Sequence, residues 1–187
     1  KFTATSSLQV KEAITLSDGS VLVLASNSDN NVYLYKFDNN GRVNSFGING
    51  ASVVPLSTST TASYVPVKIA VDSNNNIFVA GNFYDTATST DQDIFVARFT
   101  STGALDTQFN TTGSILYASS TGSVEYLKDM GLNGTTLYLS GTVNPSTGGY
   151  DYFYIPLNDI NSNTPAFGSL ATVNVGTLSG GLAQTDD

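Results

Sequence analysis

Short apolar segments alternate with polar turns along the chain, and no segment has the spacing of an amphipathic helix. The pattern is clearest in the middle, where the apolar segments 67–71 and 77–81 flank a polar turn and a third segment, 93–99, follows a polar loop. Segments rich in Val, Ile, Phe and Tyr that are bounded by Asn, Asp, Gly and Ser are typical of β-strands. The pattern therefore predicts an all-β protein.

The same order of segments occurs three times, with a period of about sixty residues. Equivalent second strands begin at Val21, Ile77 and Leu137, at offsets of 56 and 60. Each unit contains four apolar runs, so we predict three four-stranded antiparallel blades. The predicted division is an N-terminal extension or spare strand at 1–9, blade 1 at 10–63, blade 2 at 64–123, blade 3 at 124–178 and a C-terminal tail at 179–187.

Two further features refine the predicted sheets. Asn-Gly pairs at 40–41 and 133–134 predict tight hairpins in which two residues have positive φ. In the third strand of the second unit, Ile94 and Val96 alternate with Phe95 and Ala97, so both faces of that strand are apolar. A sheet with two apolar faces is expected to lie between two neighbouring sheets.

In the second unit, residues 76–81 read Asn-Ile-Phe-Val-Ala-Gly, residues 93–99 read Asp-Ile-Phe-Val-Ala-Arg-Phe, and residues 105–113 read Leu-Asp-Thr-Gln-Phe-Asn-Thr-Thr-Gly. These segments resemble the delta-60 repeat family, whose units join a DGxxxVAG-like hairpin, a DfalaRy-like strand and a closing LDxxFGxxG segment. The third unit departs from that pattern, with Pro156 in place of the basic residue. A weaker similarity connects residues 69–81 with NHL-type propeller repeats. The resemblance implies a β-propeller-type architecture, found largely in exported microbial proteins, and no particular reaction.

Propellers close with about four to eight blades, whereas this chain supplies three. We therefore expect a partial or oligomer-completed propeller: a two-fold dimer, a piece of a longer propeller, or a head-to-tail polymer. The partners are then copies of the chain or the remaining blades of a longer parent chain. Residues 1–7 are either a spare strand for a neighbour's sheet or a frayed terminus.

The composition disfavours or excludes several classes of function. The 187 residues carry a net charge of -8, which disfavours nucleic-acid binding because phosphates repel an acidic protein. The chain has no Cys and no His, so thiol nucleophiles, His-based acid–base pairs and zinc fingers are excluded. No apolar run is long enough to span a membrane. The low share of charged residues and the start at Lys1 favour a mature or excised piece of an exported protein, at an extracellular or cell-surface location.

Three lysines, Lys11, Lys68 and Lys128, stand at comparable places in the three units. If the first strand of each blade is innermost, their ammonium groups could line a central channel and hold a small anion. The alternative is that each lysine pairs with a carboxylate of its own or an adjoining blade.

Two other groups are candidate binding residues. Asp72, Asn74 and Asn76 place oxygen donors at alternate positions, as calcium loops do, although the glycine and bidentate glutamate of such loops are missing and turn formation is the alternative. Tyr150 and Tyr152 could stack on a glycan or contact a peptide, or they could pack within a blade. No cofactor other than calcium is implied.

Catalysis would depend on carboxylates, and the only two glutamates are Glu12 and Glu125. Their separation is not fixed by the sequence, so a hydrolase or lyase is the least favoured prediction. The favoured prediction is a non-enzymatic extracellular structural or adhesive protein that assembles through blade and strand-edge contacts. The alternative is a glycan- or peptide-binding propeller module.

Overall fold

The structure is a computed structural model, and it describes residues 8–27, 31–55, 62–85, 92–118, 123–144 and 151–173. The described residues form fourteen β-strands and no helix. No helix in these ranges is therefore long and apolar enough to cross a membrane. The predicted spare strand falls mainly on residues 1–7, and this segment and the predicted tail at 179–187 lie outside the described residues.

The strands form three antiparallel sheets that follow one another along the chain. Sheet 1 contains β1 Gln9–Thr15, β2 Val21–Ser26, β3 Asn31–Asp38, β4 Gly41–Arg42 and β5 Ala51–Pro55. Sheet 2 contains β6 Ala62–Val71, β7 Ile77–Asp85, β8 Gln92–Phe99 and β9 Ser114–Tyr117. Sheet 3 contains β10 Val124–Asn133, β11 Thr136–Asn144, β12 Asp151–Asn158, β13 Ala166–Phe167 and β14 Ala171–Val173.

The prediction of an all-β chain with three antiparallel sheets is confirmed, but only sheet 2 has four strands. In sheet 1 the third strand, β3, pairs with both β4 and β5, and in sheet 3 the third strand, β12, pairs with both β13 and β14. The reason is a turn inside the fourth apolar run. In the first unit Gly47 and Gly50 have positive φ in the turn between β4 and β5, and this turn interrupts the pairing of the fourth run with β3.

Two apolar cores lie on opposite faces of sheet 2. Along β7, Ile77 and Val79 belong to the core shared with sheet 1, whereas Phe78 and Ala80 belong to the core shared with sheet 3. Successive side chains of a strand point to opposite faces, so this division follows directly from the alternation in the sequence. Sheet 2 is therefore covered on both faces, as the sequence predicts.

A phenylalanine from each of the first two closing segments completes a core. Phe46 is 2% exposed in the first core, and Phe109 is fully buried in the second. Gly103 in the neighbouring unit has positive φ, and a Cβ there would lie 2.8 Å from the Phe46 ring. The turn of one unit therefore fits closely over the phenylalanine of the unit before it.

The first strand of every sheet contains a β-bulge. One residue on the first strand lacks a counterpart on the second strand, and these extra residues are Lys11, Val67 and Lys128. Opposite the bulges of sheets 2 and 3 are glycines, at which a Cβ would lie 2.1 Å and 1.9 Å from backbone carbonyl oxygens. The Gly of the repeat motif, Gly81 and Gly141, is thus required by a close approach of the first strand.

The Asn-Gly hairpins occur where predicted, but the expectation of two positive-φ residues in each is wrong. Gly41 has a φ of 110° and Gly134 a φ of 59°, whereas the preceding asparagines are not among the positive-φ residues. In the first hairpin Asp38 pairs with Gly41, so the turn residues are Asn39 and Asn40 and the glycine begins the next strand. In the second hairpin Asn133 pairs with Thr136, so Gly134 is itself a turn residue. A single glycine accommodates the left-handed step in each hairpin.

Candidate functional site

An ionic row connects the first strands of all three sheets. The Nζ atom of Lys68 on β6 lies 3.0 Å from Oε1 of Glu12 on β1 and 3.3 Å from Oδ1 of Asp129 on β10. The other oxygen of Glu12 accepts a hydrogen bond from the backbone N–H of Ile69 at 2.7 Å. The hydrogen bond to Glu12 is the main cause that raises the pKa of Lys68 above its ordinary value. We name Glu12, Lys68 and Asp129 the ionic row.

The strand register shows that the three candidate lysines are not equivalent. Lys68 pairs with Ala80 just after its bulge, and the residues at that position in the other sheets are Glu12 and Asp129. Lys11 and Lys128 are the extra residues of their bulges. The sequence comparison is therefore wrong by one position in the second unit. Lys68 and Lys128 both stand nine residues before the second strand, but the hairpin of sheet 3 is one residue shorter than that of sheet 2, so equal spacing is not equal register.

Each of these lysines has a different environment. The ammonium group of Lys11 donates to Oε1 of Gln9 at 3.3 Å on the surface. That of Lys128 lies 5.6 Å from the centroid of the Tyr126 ring, a cation–π geometry. Lys68 faces two carboxylates, which would repel an anion. For Lys68 the geometry favours pairing with adjoining sheets over the predicted anion site.

The candidate calcium residues form a hydrogen-bonded turn. Oδ1 of Asp72 accepts from the backbone N–H groups of Asn74 and Asn76, both at 2.8 Å, and Oδ2 accepts from Nδ2 of Asn76 at 2.8 Å. Asp72 is 7% exposed, and Asn75 has a φ of 62°. Both oxygens of the carboxylate are occupied by donors, an arrangement that favours turn formation over calcium binding.

Of the two candidate tyrosines, Tyr150 lies outside the described residues and Tyr152 is on β12 with 59% of its surface exposed. Tyr154, two residues further on the same face, is 42% exposed. Its ring stacks on that of Tyr138, with centroids 5.7 Å apart and planes at 20°. The rings of Tyr138 and Tyr154 thus cover part of each other, which leaves Tyr152 as the most accessible of the three.

The two glutamates have different surroundings. Glu12 belongs to the ionic row on the first sheet. Glu125 on the third sheet is fully buried, and its Oε1 accepts a hydrogen bond from the hydroxyl of Ser123. The pairing register also differs, since Glu12 lies opposite Leu24 after the bulge and Glu125 opposite Val143 before it. This arrangement gives no support to a shared carboxylate pair.

Arg98 has a structural role that the sequence patterns did not indicate. It is 5% exposed, its Nε lies 2.9 Å from Oδ2 of Asp106, and one guanidinium nitrogen donates to the carbonyl oxygen of Ile160 at 2.6 Å. The guanidinium carbon lies 5.2 Å from the centroid of the Phe109 ring. Arg98 therefore connects its own closing segment to the third unit. The signal in the sequence is the pairing of a strand arginine with the aspartate of the closing motif.

Each sheet has two faces. The forward face is the one equivalent to the face of sheet 1 that packs on sheet 2, and the backward face is the opposite one. The backward face of sheet 1 and the forward face of sheet 3 have no described sheet against them. The first presents half-buried or exposed apolar side chains, namely Val21, Val23, Tyr33, Phe37 and Val53. The second presents mainly tyrosines with small and apolar neighbours, namely Tyr138, Ser140, Tyr152, Tyr154, Pro156 and Val173. We name these the two open faces.

A groove of about 610 Å³ lies between the closing segment of the first unit and the turn of the second. Ile48, which is 83% exposed, and Val53, which is 47% exposed, line it together with backbone of Gly47 and Gly103. It is an apolar surface next to the open face of sheet 1.

No group of three or more acidic residues that could hold a metal ion occurs among the described residues. Comparison with protein-family models, with characterised proteins and with solved structures found no match.

Proposed function

We propose that the chain is a non-enzymatic structural or adhesive module of an extracellular or cell-surface protein, with its three sheets acting as blades of a β-propeller-type assembly. The observation that carries the proposal is the pair of open faces. Accessible apolar side chains on the outer sheets of a stack are typical of surfaces that become covered by a partner. The partner is another sheet of the same type, from a copy of the chain or from further blades of a longer parent chain.

The contacts among the sheets support a radial arrangement. The first strands β1 and β6 lie beside each other, as do β6 and β10, and the ionic row connects all three. In a propeller the first strand of each blade is next to the central axis, so close contact among first strands is expected there. The outer strands β5, β9 and β14 pair within their own sheets.

The chemistry of the polar groups also favours a structural role over catalysis. Arg98 pairs with Asp106, Lys68 with Glu12 and Asp129, and Asp72 organises a turn. Each of these groups holds neighbouring elements together, and each uses its charge in doing so. The proposal that the chain is not an enzyme rests on this use of the charged residues together with the absence of His and Cys from the sequence.

Sedimentation velocity over a wide range of concentration tests the proposal. We expect association that grows with concentration, because covering an open face removes its apolar side chains from water. Negative-stain images of the associated species should show sheets arranged around an axis. A particle that stays monomeric at every concentration would contradict association between copies.

A second function, glycan or peptide binding, is favoured by one observation: Tyr152 and Tyr154 are 59% and 42% exposed on the same face. Exposed tyrosines present rings for stacking and hydroxyls for hydrogen bonds. A glycan array tests this function. Binding that is lost in Tyr152→Ala and retained in Leu116→Ala, a change at an exposed residue of sheet 2, would support it.

A further inference from the structure

We infer that the open forward face of sheet 3 packs on the open backward face of sheet 1 of a second copy, so that two copies close head to tail. This inference rests on the proposed function and specifies its partner and its geometry. Two copies contribute six sheets in total, within the range of about four to eight blades that close into a ring.

The strand register shows which faces of the three sheets are equivalent. The second and third strands pair as Val21 with Phe37 in sheet 1, Ile77 with Phe99 in sheet 2 and Leu137 with Leu157 in sheet 3. The same positions therefore define the same face in each sheet. All three pairs belong to backward faces.

Both apolar cores between sheets join a forward face to a backward face. Leu22 and Leu24 on the forward face of sheet 1 share a core with Ile77 and Val79 on the backward face of sheet 2. The forward face of sheet 2 meets the backward face of sheet 3 in the same manner, through Phe78, Ala80, Leu137 and Leu139. Among the described residues, one backward face and one forward face have no sheet against them, and these are the two kinds that pair twice within the chain.

The chemistry of the two open faces fits this pairing. The open face of sheet 1 is aliphatic and aromatic, whereas that of sheet 3 carries tyrosines with Ser140 and Pro156. Tyrosine rings can pack on valines while their hydroxyls reach the edge of the interface and water. Two copies of the sheet 3 face would instead set tyrosine hydroxyls against one another, and two copies of the sheet 1 face would leave both tyrosine faces uncovered.

The ionic row adds a detail to this junction. Head-to-tail packing continues the row, so that Asp129 of one copy comes beside Glu12 of the next, at equivalent positions and without a lysine between them. Asp129 has 70% of its side chain exposed, so the repulsion is partial. Removal of this charge should make association several-fold tighter. Asp159→Asn is the control, because it removes one carboxylate in an exposed turn where Asp159 has a φ of 55°, a conformation that asparagine tolerates.

Two variants that each block one face test the pairing. Val53→Lys places a charge on the open face of sheet 1, and Tyr152→Lys places one on the open face of sheet 3. Leu116→Lys is the matched control, because Leu116 is 41% exposed on the outer strand of sheet 2, where it pairs with Phe95 as Val53 pairs with Tyr33. Circular dichroism checks that all three variants fold.

Each blocked variant alone should associate at least about tenfold more weakly than the parent chain, since a lysine would have to be buried against apolar side chains. An equimolar mixture of the two should form a heterodimer through one junction, because the unblocked sheet 3 face of Val53→Lys meets the unblocked sheet 1 face of Tyr152→Lys. The second junction then carries both lysines and stays open. Fluorescence transfer between separately labelled variants measures this recovery. The Leu116→Lys chain should associate as the parent does.

The outcomes separate this inference from the proposed function. Self-association of Val53→Lys alone would indicate sheet 3 on sheet 3, and self-association of Tyr152→Lys alone would indicate sheet 1 on sheet 1. Either result overturns the head-to-tail inference and leaves association intact. Growth of the unmutated chain beyond a dimer overturns closure. Tighter binding in Asp159→Asn than in Asp129→Asn overturns the register of the junction. An unmutated chain that never associates overturns association between copies and leaves, of the proposed function, only the blades of a longer parent chain as the partner.

Discussion

Gly141 illustrates how a single residue type follows from backbone geometry. A Cβ at this position would lie 1.9 Å from the carbonyl oxygen of Tyr126, because the bulged first strand runs unusually close to the second. Gly131 in the same sheet has no atom within 4 Å of its Cβ position and does not have positive φ. Gly141 is therefore required by the neighbouring backbone, whereas the structure leaves room for a side chain at Gly131.

Gly141→Ala should lower the free energy of unfolding by more than about 2 kcal/mol, because the first strand must move to admit the methyl group. Gly131→Ala should leave stability unchanged or raise it by up to about 1 kcal/mol through a smaller entropy of the unfolded chain. Urea unfolding followed by circular dichroism gives both values. Equal losses in the two variants would argue against the close approach.

Asp72 is the second residue whose role is local. Asp72→Ala removes the acceptor of three hydrogen bonds in the turn between β6 and β7, so we expect a loss of about 1–3 kcal/mol in the free energy of unfolding. Ser73→Ala, in the exposed part of the same turn, should change stability by less than about 0.5 kcal/mol. Thermal unfolding with and without calcium completes the test. A melting temperature that rises on calcium addition in the parent chain but not in Asp72→Ala would instead support the metal site.

Residue patterns predicted the strands well and the ionic row poorly. The phase of β7 and β8 could be read from the alternation of apolar residues, because a buried sheet imposes that alternation at every position. The equivalence of Glu12, Lys68 and Asp129 could not be read from the spacing, because the hairpin of sheet 3 is one residue shorter than the other two and the sequence has no direct marker of the bulge that fixes the register. The indirect marker is the glycine across from the bulge, Gly81 or Gly141, which is recognisable once its cause is known.

At the scale of elements, the ionic row connects three strands that share no backbone ladder. Lys68 is partly buried, with 28% of its side chain exposed, and its partner Glu12 has 22% exposed. A pair in this intermediate environment contributes more than a fully exposed pair, and removal of one partner leaves the other charge partly desolvated.

Lys68→Met should therefore lower the free energy of unfolding by about 1–2 kcal/mol, whereas Lys11→Met should have an effect below about 0.5 kcal/mol because Lys11 only contacts Gln9 on the surface. Loss of stability in Lys68→Met supports pairing. Loss of anion binding with stability retained would support the channel site.

The pH dependence of the same variant gives an independent check. The pKa of Lys68 is raised in the folded protein above the ordinary value of 10.5, so its contribution is complete below that value and is lost as the pH rises through the raised pKa. The difference in melting temperature between the parent chain and Lys68→Met should therefore be constant near neutral pH and shrink above about pH 10.5. A difference that grows with pH would contradict the pairing. Burial also raises the pKa of Tyr35, Tyr84 and Tyr117, but these tyrosines are common to both chains.

At the scale of the whole molecule, the number and order of sheets followed from the repeat, whereas their arrangement in space did not. The repeat offsets place Val21, Ile77 and Leu137 at equivalent positions, and the register bears this out. Sequence periodicity contains no information about the angle between successive sheets, which depends on side-chain volumes in the two cores. The split of the outermost strand in sheet 1 was also not predicted, because it depends on the left-handed conformation of Gly47 and Gly50.

The presence of two separate cores, each shared by only two consecutive sheets, has a consequence for how such a chain can evolve. Both cores formed by the described residues join sheets that are neighbours in the sequence, so duplication of one unit supplies both surfaces that the new copy needs. A unit inserted in the middle of the chain would meet a compatible neighbour on either side. The length of the array can therefore change by whole units, because every new junction again joins a forward face to a backward face.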